Sequence, residues 1–207
     1  MITGDRYHAS LGTAEVLLRM LDAPVSPEGR EHLAEYLINC VRHGVPGKFV
    51  LVLVAGVKTG FLMRCTLQMA GISDRAGCDR LDVAVMKLPF DGALPAGTIT
   101  VSGARNDDGV LALTVRGDAV NPAEVFAAVL LHSNDELFLL LEAMDREVPP
   151  ARSPVHTGGW ASMRSVHRAH AQASLQITLS EREHDTAYGT ALFARRVARA
   201  DHHGVDP

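Results

Sequence analysis

Between Tyr7 and Leu21, apolar side chains fall at Tyr7, Leu11, Ala14, Leu18 and Leu21, the three- and four-residue steps of one helix face. "APVSPEG" breaks that pattern. Ser26 then offers an N-cap, Pro27 fits the first helical position and Glu28 suits the positive helix start. Leu33, Tyr36, Leu37, Cys40 and Val41 form a second stripe, which Gly44 and Pro46 end. The spacing therefore predicts a helical hairpin over residues 1–46, whose stripes need a further partner, the rest of the chain or a second copy.

A polar-apolar change follows at "GKFVLVLVAGV", a β-branched run expected to be a buried strand. Phe61 to Ala70 is expected to be helical and "DRLDVAVMKLP" to be a strand. The alternating runs Ile99–Val101 and Val110–Val115 flank "NDDG", a hairpin signal. Asn121–Pro122 opens a helix through Leu131, and Ser133 caps another that reaches Arg146. Trp160 to Gln172 is expected to be helical, with Leu175–Leu179 and "DTAYGTALFA" as closing strands. The expected fold class is α+β: an N-terminal helical hairpin, a two-layer α/β sandwich over 47–198 and a polar tail over 199–207.

Composition narrows the function. A hydrophobic share of 47% and a charged share of 21% suit a globular chain, and the net charge of −4 argues against nucleic acid or an acidic membrane as partner. "MITGDRYHAS" has no signal-peptide pattern, and the Phe49–Met63 run is too broken to span a membrane, so a cytoplasmic protein is expected. Cys40, Cys65 and Cys78 lack paired spacing and read as reduced thiols.

Most motifs fail on inspection. "HGVPGK" carries Arg42 where a phosphate loop needs its first glycine, and Phe49 where it needs a hydroxyl. "KTG" at Lys58–Gly60 has no SxxK partner. His167 and His170 share a helix face but lack an obvious third metal ligand, although His184 and Asp185 are candidates. Asp107 and Asp108 read as turn residues, and His202 and His203 as an exposed tail pair. His8 stands beside the first stripe, where a neutral imidazole is a nucleophile near pH 7.

"ALPAGTITVSGARNDDGVLALTVRGDAVNP" and "GGWASMRSVHRAHAQASLQITLSEREHDTAYGTALFA" together resemble, over Ala93 to Ala194, the ATP-binding lobe of sensor histidine kinases, the fold shared with the gyrase and heat-shock ATPases. Asp118 takes the place of the family's loop aspartate without the glycines that follow it, and Phe61–Ala70 offers no asparagine for magnesium. The resemblance therefore implies a lobe that has lost ATP, with Gly158 and Gly159 serving close packing. A helical hairpin joined to such a lobe is similar to the ChpT type of histidine phosphotransferase. That resemblance implies a two-component phosphorelay protein: His8 carries the phosphoryl group and Glu15 and Arg19 meet a response-regulator receiver domain. It implies a homodimer through the N-terminal helices and no cofactor, the receiver supplying Mg. The alternatives are a non-catalytic module that binds a regulator, a divergent ATPase or kinase, and an unrelated small α/β enzyme.

Overall fold

In the computed structural model, residues 6–42, 51–89, 98–103, 111–117, 121–151, 153–172, 178–182 and 184–202 are described. Residues 6–21 do not form helices. They make two strands, β1 (Arg6–Leu11) and β2 (Glu15–Leu21), paired antiparallel with Leu11 opposite Glu15. Burial alternates at every second residue: Tyr7, Ala9 and Leu11, then Glu15, Leu17, Arg19 and Leu21, all face the core. Tyr7, Leu11 and Leu21 fit both periods by coincidence, Ala14 and Leu18 of the expected stripe lie off the buried face, and polar Glu15 and Arg19 at core positions hide the alternation.

The expectation that Ser26 starts a helix holds. Its Oγ accepts from the Gly29 amide at 2.9 Å, and Pro27 opens α1 (Pro27–Glu35). Next come β3 (Asn39–Arg42), β4 (Leu51–Val57) and α2 (Thr59–Met69), in the places expected for a strand and a helix for the last two. "DRLDVAVMKLP" is not a strand but lies mostly within α3 (Arg75–Met86). Asp74 caps it by accepting from Gly77 N at 2.7 Å, and Leu81 and Val85 pack at a four-residue step. β5 (Ile99–Gly103) and β6 (Leu111–Val115) form the expected hairpin as a separate two-stranded sheet; "NDDG" and Asp118 lie outside the described residues.

Ser133 does not start a helix. It lies within one helix, α4 (Pro122–Glu147), because buried hydroxyl and carboxyl partners override its weak intrinsic preference. The chain continues through β7 (Ser153–Thr157), a 3-10 turn at Gly159–Ser162, α5 (Arg164–His170), β8 (Thr178–Leu179) and α6 (Asp185–His202). Residues 173–177 of the expected strand lie outside the described residues, and "DTAYGTALFA" is helical in α6.

The main sheet has six strands in the order β3-β4-β2-β1-β7-β8, with β7 parallel to β1 and to β8. It crosses position 46, because β2 pairs with β4 from Glu15↔Val57 to Leu21↔Leu51. This topology replaces the expected helical hairpin and histidine-kinase sandwich. Leu17, Leu53, Ala55 and Val57 pack against Leu137, Leu140 and Met144 of α4. A second cluster joins α2, α3, α5 and the first half of α4 around Met63, Val85, Phe126 and Val166.

Arg19, 2% exposed, lies within the first cluster's territory. Its guanidinium donates to the carbonyl of Pro149 and stands 3.6 Å from Asp145, holding the chain that leaves α4. Truncating a buried charge strands its partners, whereas an apolar replacement of similar length keeps the packing. Arg19→Ala is expected to cost about 3 kcal/mol or more in urea unfolding, and Arg19→Met clearly less.

Candidate functional site

β1, β4, β7 and β8 run in one direction, since β4 and β1 both pair antiparallel with β2 and β7 and β8 follow β1 in parallel. Their carboxyl ends therefore open on a single edge. The segments leaving that edge include the Gly12–Ala14 turn, Lys58–Gly60 at the start of α2, residues 157–160 and residues 180–182. After β1 the chain turns toward β2, and after β7 it turns toward β8, so neighbouring strands send their chains to opposite sides. Such a switch point leaves a crevice outside the strand ends, where open α/β sheets take ligands.

Glycine makes the edge possible. Gly158 has φ +97°, and a Cβ there would strike the Leu11 backbone, so the end of β7 crosses β1 only with glycine. A Cβ on Gly60 would overlap the carbonyl of Gly12 and lie 2.9 Å from Nε1 of Trp160. Gly159 differs, since a Cβ there meets nothing within 4 Å. The close packing expected of the glycine doublet is thus the work of Gly158, while Gly159 borders open space.

Beside this edge lies a cleft of about 410 Å³ lined by Ser10, Thr157, Gly158, Arg182, His184 and Asp185, among others. It adjoins one of about 620 Å³, with Thr157, Arg182 and Asp185 common to both, that runs along β1 and β7 beneath α6. Both volumes suit a small ligand. Arg182 stacks over the Tyr188 ring at 4.3 Å and lines the smaller cleft with Gly158, and Arg64 donates to Thr13 Oγ1 at 3.0 Å, so each glycine turn has a guanidinium nearby.

His8 projects from β1 into the larger cleft, half-buried, with Nε2 2.7 Å from Thr157 Oγ1. Burial lowers its pKa and the field of Asp185 opposes that shift, leaving a mostly neutral imidazole at pH 7. Glu15 and Arg19 are core residues of β2, 1% and 2% exposed, and offer no surface to a docking protein. His167 and His170 lie on α5 as expected, yet His170 faces inward. Its Nε2 stands 3.1 Å from Oε1 of Glu15, and its ring meets His156 at 5.0 Å. Among the described residues no group of three or more His, Cys, Asp or Glu side chains can hold a metal ion, and no helix is long and apolar enough to cross a membrane.

The Gly12–Thr13 turn, Gly60 and Trp160 are the site residues that sequence reasoning missed. The signal available for the first was the pair Gly-Thr between two alternating runs, which reads as a strand turn once the period is taken as two.

No protein family matches the sequence, and no curated protein does. Solved structures do match, and they show the fold: it is similar to that of part of several carbohydrate kinases. A glycerol kinase from Plasmodium falciparum, solved with ADP, shares 13% identity over 89% of this chain and 37% of its own, with a TM-score of 0.67. A xylulose kinase from Brucella ovis gives 19%, 87%, 36% and 0.65 for the same quantities. One from Rhodospirillum rubrum gives 12%, 86%, 35% and 0.63. The chain thus spans about a third of the length of these kinases.

These likenesses overturn the resemblance to histidine kinases and ChpT-type phosphotransferases. They remove the ground for an ATP-free phosphorelay and for response-regulator partners. The dimer through N-terminal helices falls with the helices themselves, because that segment is strand. His8 therefore loses the helical presentation on which its phosphoryl-carrier role depended.

Burial drives the pKa of His156 down to about 3, with the fields of His170 and His167 adding to it, and that of His170 down to about 4. Their unfolded pKa is 6.5, so from there toward acid the unfolded chain binds protons that the fold refuses, and stability falls as pH falls. Glu15, pushed up by burial from 4.5 to about 8, acts oppositely: its contribution declines as pH rises between those values. Thermal unfolding followed against pH is expected to show maximum stability near pH 6.5, where the unfolded histidines titrate. His156→Gln is expected to flatten the acid side.

Proposed function

We propose that the chain is the nucleotide-holding part of a phosphotransferase and binds ADP or ATP at the shared edge of β1 and β7. The observation that carries this reading is the meeting of two glycine turns at the switch point, with open space beside Gly159 and guanidinium groups at Arg64 and Arg182. Backbone amides approached closely, together with fixed positive charge, suit a polyphosphate. Gly12, Thr13 and Gly159 would meet the phosphates, with Arg64 and Arg182 as counter-charges. The glycerol kinase solved with ADP supports the choice of nucleotide, and the sugar kinases as a group suggest a polyhydroxylated phosphoryl acceptor. The reading places the protein in the cytoplasm, where ATP is abundant and the free thiols of Cys40, Cys65 and Cys78 stay reduced.

Titration calorimetry with ADP and magnesium tests it, using Gly159→Val as the diagnostic variant. A side chain at that position enters open space and leaves the fold intact, but it blocks close approach of a phosphate. Wild-type protein is expected to bind, and Gly159→Val to lose about tenfold or more in affinity at an unchanged melting temperature. Absence of heat with wild-type protein, or equal affinity in the variant, would remove the site.

A further inference from the structure

Glu15 opens β2 and follows the Gly12–Ala14 turn directly. Its carboxyl is buried and reaches side chains from three helices. Thr59 Oγ1, at the start of α2, donates to Oε2 at 3.3 Å. Ser133 Oγ, midway along α4, donates to the same oxygen at 3.5 Å and also contacts Thr59. His170, at the end of α5, brings Nε2 to 3.1 Å from Oε1 without the alignment of a hydrogen bond. Behind it stand His156 of β7 and His167 of α5, whose rings are 6.3 Å apart.

The elements joined here also support the turn. The start of α2 that supplies Thr59 presses Gly60 against the Gly12 carbonyl, and the Trp160 indole completes the contact. A negative charge on Glu15 would face two hydroxyls and His170, with His156 behind it, and burial disfavours a positive charge on either ring. The Nδ1 atoms of His156 and His170, like Oε1 of Glu15, are buried and make no hydrogen bond. Ionisation of the carboxyl therefore leaves a buried charge met by two hydroxyls alone, and moving one of these elements apart would relieve it by admitting water.

We infer that Glu15 is a proton-linked positioning residue: in its neutral form it ties the Gly12–Ala14 turn to α2, α4 and α5, and on ionisation it releases the turn and weakens whatever is held there. The effect on a bound nucleotide rests on the reading proposed above; the movement of the turn does not. Burial, partly offset by the hydroxyls of Thr59 and Ser133, raises the Glu15 pKa to about 8, which sets the pH at which release is expected.

Trp160 is the chain's single tryptophan and lies against the turn's support, so its fluorescence reports the tie without any ligand. In wild-type protein the emission is expected to change through about pH 8, and in Glu15→Gln, which keeps an uncharged group of the same shape, to stay flat. ADP affinity, measured by calorimetry with magnesium, is expected to fall about tenfold from about pH 7 to about pH 9 in wild type and to hold level in Glu15→Gln. ADP is fully ionised over most of that interval, so the ligand contributes little slope. A wild-type Trp160 signal without a transition overturns the inference, even if Glu15→Gln fails to fold. An unchanged transition in Glu15→Gln overturns it as well. A Glu15-dependent transition with no ADP binding at any pH supports the tie and defeats the nucleotide reading instead. ADP binding that ignores pH while Trp160 titrates overturns the link between the turn and the ligand.

Discussion

Strand β1 is hydrogen-bonded on one side by a strand of opposite sense and on the other by a strand of the same sense, and the remaining architecture is arranged around that mixed pairing. An antiparallel neighbour can be reached by a short turn, whereas a parallel neighbour requires the chain to travel back across the sheet. Here that return comprises α2, α3, the β5–β6 hairpin and α4, so most of the helical mass is the crossover between β4 and β7. The same pairing brings the tight turn after β1 and the glycine doublet after β7 to one edge. Fold and candidate site thus share one cause.

The buried polar groups follow from that arrangement. Four elements of distant sequence converge beneath one turn, and apolar packing alone does not fix their relative depth. The hydroxyls of Thr59 and Ser133 bond directionally to the Glu15 carboxyl there, which fixes α2 and α4 against β2, while the His170 imidazole of α5 packs close beside it. Arg19 performs a comparable task farther along β2, where its bond to the Pro149 carbonyl sets the path out of α4.

Parts of this were legible in the sequence. The Ser26–Pro27 helix start, the helix near Phe61 and the Ile99–Val115 hairpin each rest on chemistry contained within a few residues, and each is present. The first two strands were not legible, because Glu15 and Arg19 hold core positions that a hydrophobic pattern assigns to solvent. Their partners, Ser133 and Pro149, are 118 and 130 residues away. For the same reason Ser133 read as a cap rather than as the midpoint of a longer helix. His8 and Thr157 are 149 residues apart, and their contact depends on a parallel pairing that no local signal announces. Gly158 and Gly159 look equivalent in sequence, yet one is filled by the backbone of Leu11 and the other faces open space.

Helix α4 is 26 residues long, about 39 Å at the usual rise. Its first half belongs to the cluster formed with α2, α3 and α5, and its second half to the one formed with the sheet. Neither cluster has a complete boundary of its own, so melting either one exposes half of the rod that closes the other. Among the described residues the two cores are thus joined through one continuous helix, and the loss of either is felt by the other.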